Sequence, residues 1–394
     1  MKKIRVKNNP LNYTIDAKNL LIFFPLLVII GKVVRWTIMV ETLINMSKGW
    51  GYASEIINGD WDFAFLGISD VLNGSPGEDT NMYLMFKIFR AMCLNIPDDF
   101  YSFEIAITLV WGLMLFLLFK KITKKILVSE FMFVSIAVIV LNVYCFSLSK
   151  ETFQMLYFYL LFFVMYSNTI PDKNKFKMAV AVIIFSTFTF RTYYFLIIVF
   201  AFAALKLTAY AIRKKPNKSN FNVLVVYLGL VGLYAAIMLA LNLLMPTLYT
   251  RMADSLLLAS EATSSADTYI ENVFATSSSD LVAVILEYAI VVLRLLFPVE
   301  LIGLGVKYFP YIIYQFCMSL FMIRALKSYA TNTKTQNVAL LIMLGFVFTS
   351  ATFEVDYGAW IRHGAVTLPT LLLMIGMIKP KKIPEDLNKK EVCK

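Results

Sequence analysis

The chain has 394 residues, 59% of them hydrophobic and 15% aromatic, with only 16% charged and a mean hydropathy of +0.70. Soluble domains carry about a quarter of their residues as charges, so these values exclude that class and point to an integral membrane protein. The formal net charge of +11 gathers in short basic segments between apolar runs, a pattern matched to anionic lipid head groups rather than to nucleic acid.

Each crossing needs about 20 mostly apolar residues, which leaves room for roughly ten spans. The first predicted span, 19–40, follows MKKIRVKNN and carries Lys32 and Arg35, which fits a retained first helix better than an excised signal peptide. A polar stretch over about 41–100 comes next. It holds Asp60 and Asp62 in NGDWDFAFLG, and its segment 79–97 sets Met, Phe and Leu at helical spacing opposite Lys87 and Arg90, which predicts an interfacial helix. Apolar runs then predict spans over 101–119, 126–147, 153–168, 178–190, 193–212 and 222–245. The turn SKET, with Lys150 and Glu151, opens the fourth of the ten, and Arg191 to Tyr194 separates the fifth from the sixth.

A second long segment, 246–308, includes a stretch rich in Ser, Thr and Ala over 259–280, expected to be mobile, and the apolar run LVAVILEYAIVVLRLLFPVELIGLGV over 281–306. Counting that run as a full span would place Arg324, Lys327 and Lys334 on the wrong side. It is expected instead to enter and leave the membrane or lie in the outer interface, interrupted by Glu287, Arg294 and Pro298. Spans over 309–326, 338–353 and 364–378 complete the set, with EVDYGAWIRH between the last two and a tail at 379–394. Most of the 37 lysines and arginines lie on one side in this scheme, which makes both termini cytoplasmic by the positive-inside rule. The expected fold is therefore all-α and polytopic: a single membrane domain over 1–394, ten transmembrane helices plus outer interfacial or re-entrant helices.

The charges left in apolar surroundings are the candidates for chemistry. Arg191 sits between FSTFTF and TYYFLIIVF, where an unpaired charge costs about 2.5–3.5 kcal/mol even on a lenient insertion scale. Arg294 precedes Pro298, and Glu354, Asp356, Arg362 and His363, the only histidine, share one short turn on the face that also bears Lys150. Guanidinium forks bind two phosphate oxygens at once, so three arginines and a lysine at one mouth predict an anionic, phosphate-bearing ligand. Each also has a plainer reading, as an interface anchor or an ordinary polar turn. No Walker loop, HExxH, GxSxG or CxxC occurs, and Cys93, Cys145, Cys317 and Cys393 read as free. The spacing suggests no metal site and no cofactor.

Taken together, the basic N-terminus, about ten spans, SKET, Arg191 with Tyr193 and Tyr194, Arg-x-x-Phe-Pro at Arg294 to Pro298 and a late Glu followed by Arg-His resemble the Wzy-type polymerases of bacterial capsule, O-antigen and exopolysaccharide, within the GT-C-like membrane glycosyltransferases. That resemblance implies a metal-independent glycosyltransferase at the outer face of the bacterial plasma membrane, joining undecaprenyl-pyrophosphate-linked repeat units. It assigns Arg191, Arg294, Arg362 and Lys150 to pyrophosphate, leaves Glu354, Asp356 and His363 as unranked base candidates, and places Asp60, Asp62, Tyr193 and Glu151 toward the glycan. Flippase and chain-length regulator proteins are the implied partners. The alternatives are another polyprenyl-phosphate-dependent transferase, an O-antigen ligase, or a non-enzymatic transporter of lipid-linked sugars.

Overall fold

A computed structural model describes residues 13–49, 100–122, 125–146, 150–215, 219–262, 268–275, 277–353 and 356–378. Asp60, Asp62, the segment 79–97 and Glu354 lie outside the described residues.

The protein is mostly helical, at 82%. A short antiparallel pair, β1 (Thr14–Asp16) with β2 (Lys125–Leu127), ties the start of α1 (Ala17–Gly49) to the start of α3 (Val128–Tyr144). Between them lies α2 (Phe100–Phe119), and after α3 come α4 (Lys150–Tyr166), α5 (Asp172–Thr189), α6 (Phe195–Lys214) and α7 (Ser219–Leu244). The second half holds α8 (Pro246–Ala262), α9 (Leu281–Leu296), α10 (Phe309–Lys327), α11 (Lys334–Phe353), α12 (Tyr357–Ala365) and α13 (Leu368–Met374). Among the described residues five segments are long and apolar enough to cross a membrane: Ala17–Thr37, Thr192–Lys214, Asn220–Leu244, Phe309–Lys327 and Lys334–Phe353. Ile105–Phe119, Val128–Val143 and Phe153–Tyr166 are shorter apolar helices.

Helix α11 is the centre of the bundle, with 83% of its most apolar window buried. It packs most extensively on α6, whose buried stripe is Ile197, Ala201, Ala204, Thr208 and Ala211. Small residues let helix backbones approach closely where lipid removes any hydrophobic drive to associate. Gly345 makes the closest approach: a Cβ there would lie 2.4 Å from the Ile197 carbonyl oxygen. Gly31 does the same for α1 against α3, where a Cβ would meet Asn142 Cβ at 2.5 Å.

Two expectations are revised by this packing. The span expected over 364–378 holds only the last two residues of α12 and the seven-residue α13, and is buried along nearly its whole length. The Thr367 hydroxyl donates to the Gly364 carbonyl at 2.6 Å, and Pro369, in the first turn of α13, has no N–H to continue the earlier helix. The second revision concerns 281–306. Helix α9 passes unbroken through Glu287 and Arg294 and stops at Leu296, just before Phe297 and Pro298. Its buried face is Val284, Glu287, Tyr288, Val291, Val292 and Leu295, while Val282, Leu286 and Leu293 are exposed. Glu287 does not interrupt the helix, because its Oε2 turns inward and accepts the N–H groups of Val273, Phe274 and Ala275 at 2.8, 2.7 and 3.3 Å. Those bonds also hold part of the Ser/Thr-rich stretch against α9, and the segment 246–308 is largely helical rather than an open loop.

Candidate functional site

Three helix ends and one tight turn converge on Glu151. The residue lies in the first turn of α4, and its side chain is 3% exposed. The imidazole of His363, on α12 and 4% exposed, brings Nε2 to 3.2 Å from Glu151 Oε1. Arg362, the preceding residue and 44% exposed, has its Nε 4.0 Å from the same oxygen. Arg191 reaches in from the turn between α5 and α6, with Nη2 3.2 Å from His363 Nε2.

Each group is placed by local chemistry. Phe190 ends α5 and Thr192–Tyr194 forms a single 3-10 turn, so Arg191 projects from an extended residue between two helices, as the expected spans 178–190 and 193–212 require. Its guanidinium lies 5.4 Å from the ring centroids of both Phe190 and Tyr193 and donates to the Tyr193 hydroxyl. Tyr193 in turn stacks on Phe353, at the end of α11, with centroids 4.3 Å apart. Helix α12 is aimed by its N-cap. Asp356 Oδ2 accepts the Ala359 N–H at 2.7 Å, Oδ1 accepts the Thr268 hydroxyl at 2.6 Å, and the Tyr357 N–H donates to the Thr268 carbonyl. Trp360, fully buried and stacked on Phe346 at 5.8 Å, fixes the inner face of the same helix.

Two cations absent from the sequence-based site list complete the surroundings. Lys32 Nζ donates to the Phe146 carbonyl at 2.6 Å, and Arg35 Nη1 to the Val143 carbonyl at 2.8 Å, so α1 caps the C-terminal end of α3 with two positive charges. The capped end presents Cys145, whose thiol contacts the Arg362 carbonyl at 3.5 Å. The signal was present in the sequence, since ionisable residues within a membrane helix are functional candidates by default. Here their visible work is to position the end of α3 beside Arg362.

The sequence-derived residues therefore separate into groups. Arg191, Arg362, His363, Glu151 and Tyr193 come together. Asp356 is a helix cap with both oxygens engaged. Arg294 lies in a different cluster: its Nε is 2.6 Å from Glu300 Oε1, its Nη2 is 2.6 Å from Glu300 Oε2, and it also donates to the Glu271 carbonyl. The Tyr357 hydroxyl joins that cluster by donating to Glu300 Oε2 at 3.1 Å. Lys150 is in the first turn of α4. Among the described residues no three His, Cys, Asp or Glu side chains converge as metal ligands would.

One proton decides which contacts the imidazole makes. Nε2 accepts from Arg191 only when it is bare, and donates to Glu151 only when it carries a hydrogen. A single nitrogen held between an acid and a guanidinium is thus a two-position proton site: bare and bound to Arg191, or protonated and bound to Glu151.

No protein-family model, curated protein or solved structure matches this chain.

Proposed function

We propose that the protein polymerises undecaprenyl-pyrophosphate-linked oligosaccharide repeat units into a surface polysaccharide at the outer face of the bacterial plasma membrane. The observation that carries this reading is the buried Glu151–His363 pair with Arg191 and Arg362 on either side, a base and an anion site in one place. In this reading ten crossings are made by α1 to α7, α10, α11 and the divided α12–α13 unit, with both termini cytoplasmic and α9 half-buried on the outer side.

The chemistry follows from the two positions of the proton. A sugar hydroxyl of the acceptor attacks the anomeric carbon of the donor glycan, forming a new glycosidic C–O bond. The bond from that carbon to the pyrophosphate oxygen breaks, and its electron pair leaves with the pyrophosphate. The hydroxyl proton moves to the bare Nε2 of His363, and the resulting imidazolium pairs with Glu151. Arg191, displaced from Nε2 by that proton, turns its fork to the leaving group together with Arg362. Positive charge preorganised where negative charge develops is worth far more in a site that excludes water than in bulk solvent. His363 is thus the general base and Glu151 its orienting partner, while Tyr193 steadies Arg191 through its hydroxyl.

The test is chain-length analysis of surface polysaccharide in a deletion strain complemented with Arg191→Ala, Arg362→Ala or His363→Ala at equal membrane abundance. Loss of long polymer with single-repeat display retained is the expected outcome. Wild-type length distributions from all three variants overturn the site, and loss of single-repeat display as well points to a lipid-linked sugar transporter.

A further inference from the structure

A cavity away from the site just described owes its origin to the early stop of α9. That helix ends at Leu296, and Phe297 and Pro298 turn the chain away. Below its last turn, the first turns of α7 and the last turns of α10 stand apart and enclose a cavity of about 390 Å³. Its walls are apolar, among them Val223, Tyr227, Leu296, Met322, Ile323 and Phe348. Leu224 and Leu293 also line it and are 54% and 42% exposed, so it opens sideways through the wall of the bundle. From Ser319 to Lys327, a stretch of nine helical residues, the lining runs about 12 Å along α10.

An apolar space of this size in a membrane-embedded bundle does not hold water, which needs several polar partners. The Ser319 and Tyr227 hydroxyls in its wall are spent on the Leu296 and Ala289 carbonyls, and the charged and amide groups of the lining are at one end. Lys327 and Asn220 lie there, both exposed, and Lys215 sits 4.6 Å over the Phe221 ring beside Asn220. Arg213, Lys214 and Arg324 are exposed on the same helix ends. Helices α7, α10 and α11 contain no acidic residue at all. The mouth is therefore cationic and the interior is hydrocarbon.

From this we infer that the cavity is a binding site for one anionic phospholipid of the leaflet at the Lys327 end, with an acyl chain under the end of α9 and the phosphate on Lys327. The lipid replaces the turns of helix that α9 lacks and supplies the packing between α7 and α10. This site is independent of the polymerase reading, because it is defined by α7, α9 and α10 and reads out as lipid binding.

The experiment uses the full chain purified in a neutral detergent. Native mass spectrometry detects retained lipid, and thermal unfolding is followed with added phosphatidylglycerol or with phosphatidylcholine of the same acyl chains. One retained anionic phospholipid and a larger rise in Tm with phosphatidylglycerol are expected for the wild type. Val223→Trp and Ile323→Trp, which fill the cavity from opposite walls, should each lose the retained lipid. Lys327→Glu should keep a lipid adduct and bind phosphatidylglycerol at least about fivefold more weakly, the equivalent of one surface lysine. Absence of retained lipid in the wild type, equal responses to the two lipids, or an unchanged phosphatidylglycerol preference in Lys327→Glu would overturn the inference. Because Lys327 is exposed, that last variant keeps the test decisive if the tryptophan variants fail to fold.

Discussion

Removal of His363 separates a base from a structural ion pair. Once His363 is protonated, its charge and that of Glu151 attract across 3.2 Å by about 5 kcal/mol at an effective dielectric of about 20, before desolvation is subtracted. Desolvation is large here, since both side chains are almost fully buried, and deleting one partner of such a pair costs about 3–5 kcal/mol. Arg362, at 4.0 Å, still faces the orphaned carboxylate in His363→Ala, so the cost should sit near the lower end, about 3 kcal/mol. Loss of a general base adds a rate loss of about 100- to 10,000-fold. The double variant Glu151→Gln with His363→Gln removes the buried carboxylate together with the imidazole, so it should recover most of the stability and none of the activity. Thermal unfolding of purified protein measures the first quantity, and polysaccharide chain length in the complemented deletion strain measures the second. Wild-type polymer from the double variant at equal abundance would refute the general-base assignment, whatever the stability values.

Further expectations follow from other contacts. Asp356→Ala should cost about 0.5–2 kcal/mol through the lost cap, while Asp356→Asn, itself a good cap, should restore both stability and polymer, an outcome a catalytic carboxylate would not allow. Arg191→Lys keeps the charge but loses the planar fork and its packing between Phe190 and Tyr193, so polymer length should fall even where thermal stability is unchanged. Gly345→Ala drives a methyl group into the Ile197 carbonyl and should destabilise the α6–α11 contact by about 1–3 kcal/mol, read as a lowered Tm. For orientation, a cysteine at position 278 should react with an impermeant thiol reagent from outside intact cells and one at position 217 should not; reversed labelling would invert the topology.

Much of the helical layout was legible because apolar runs and helix stops are local. The turn at Arg191 falls between two runs each long enough for a helix, and Pro298 ends α9 where its missing N–H predicts. Other features misled for equally physical reasons. A continuous apolar stretch such as 364–378 reads as one span whether it faces lipid or lies wholly inside the bundle, and only burial by α4 and α11 distinguishes the two. Glu287 and Arg294 look like interruptions in an apolar run, yet each finds partners in the loop and turn that pack beside α9.

Composition by itself determined the solvent class, the all-helical membrane architecture and the candidate arginines and histidine, because each of these depends on residue type and short-range spacing. Tertiary structure alone decided which charges meet. Glu151 and His363 are separated by more than half the length of the chain, Lys32 reaches the end of α3, and Arg294 is neutralised by Glu300 instead of joining Arg191. A buried charge is tolerated only beside its partner, and helix packing brings that partner from a distance that no local pattern encodes.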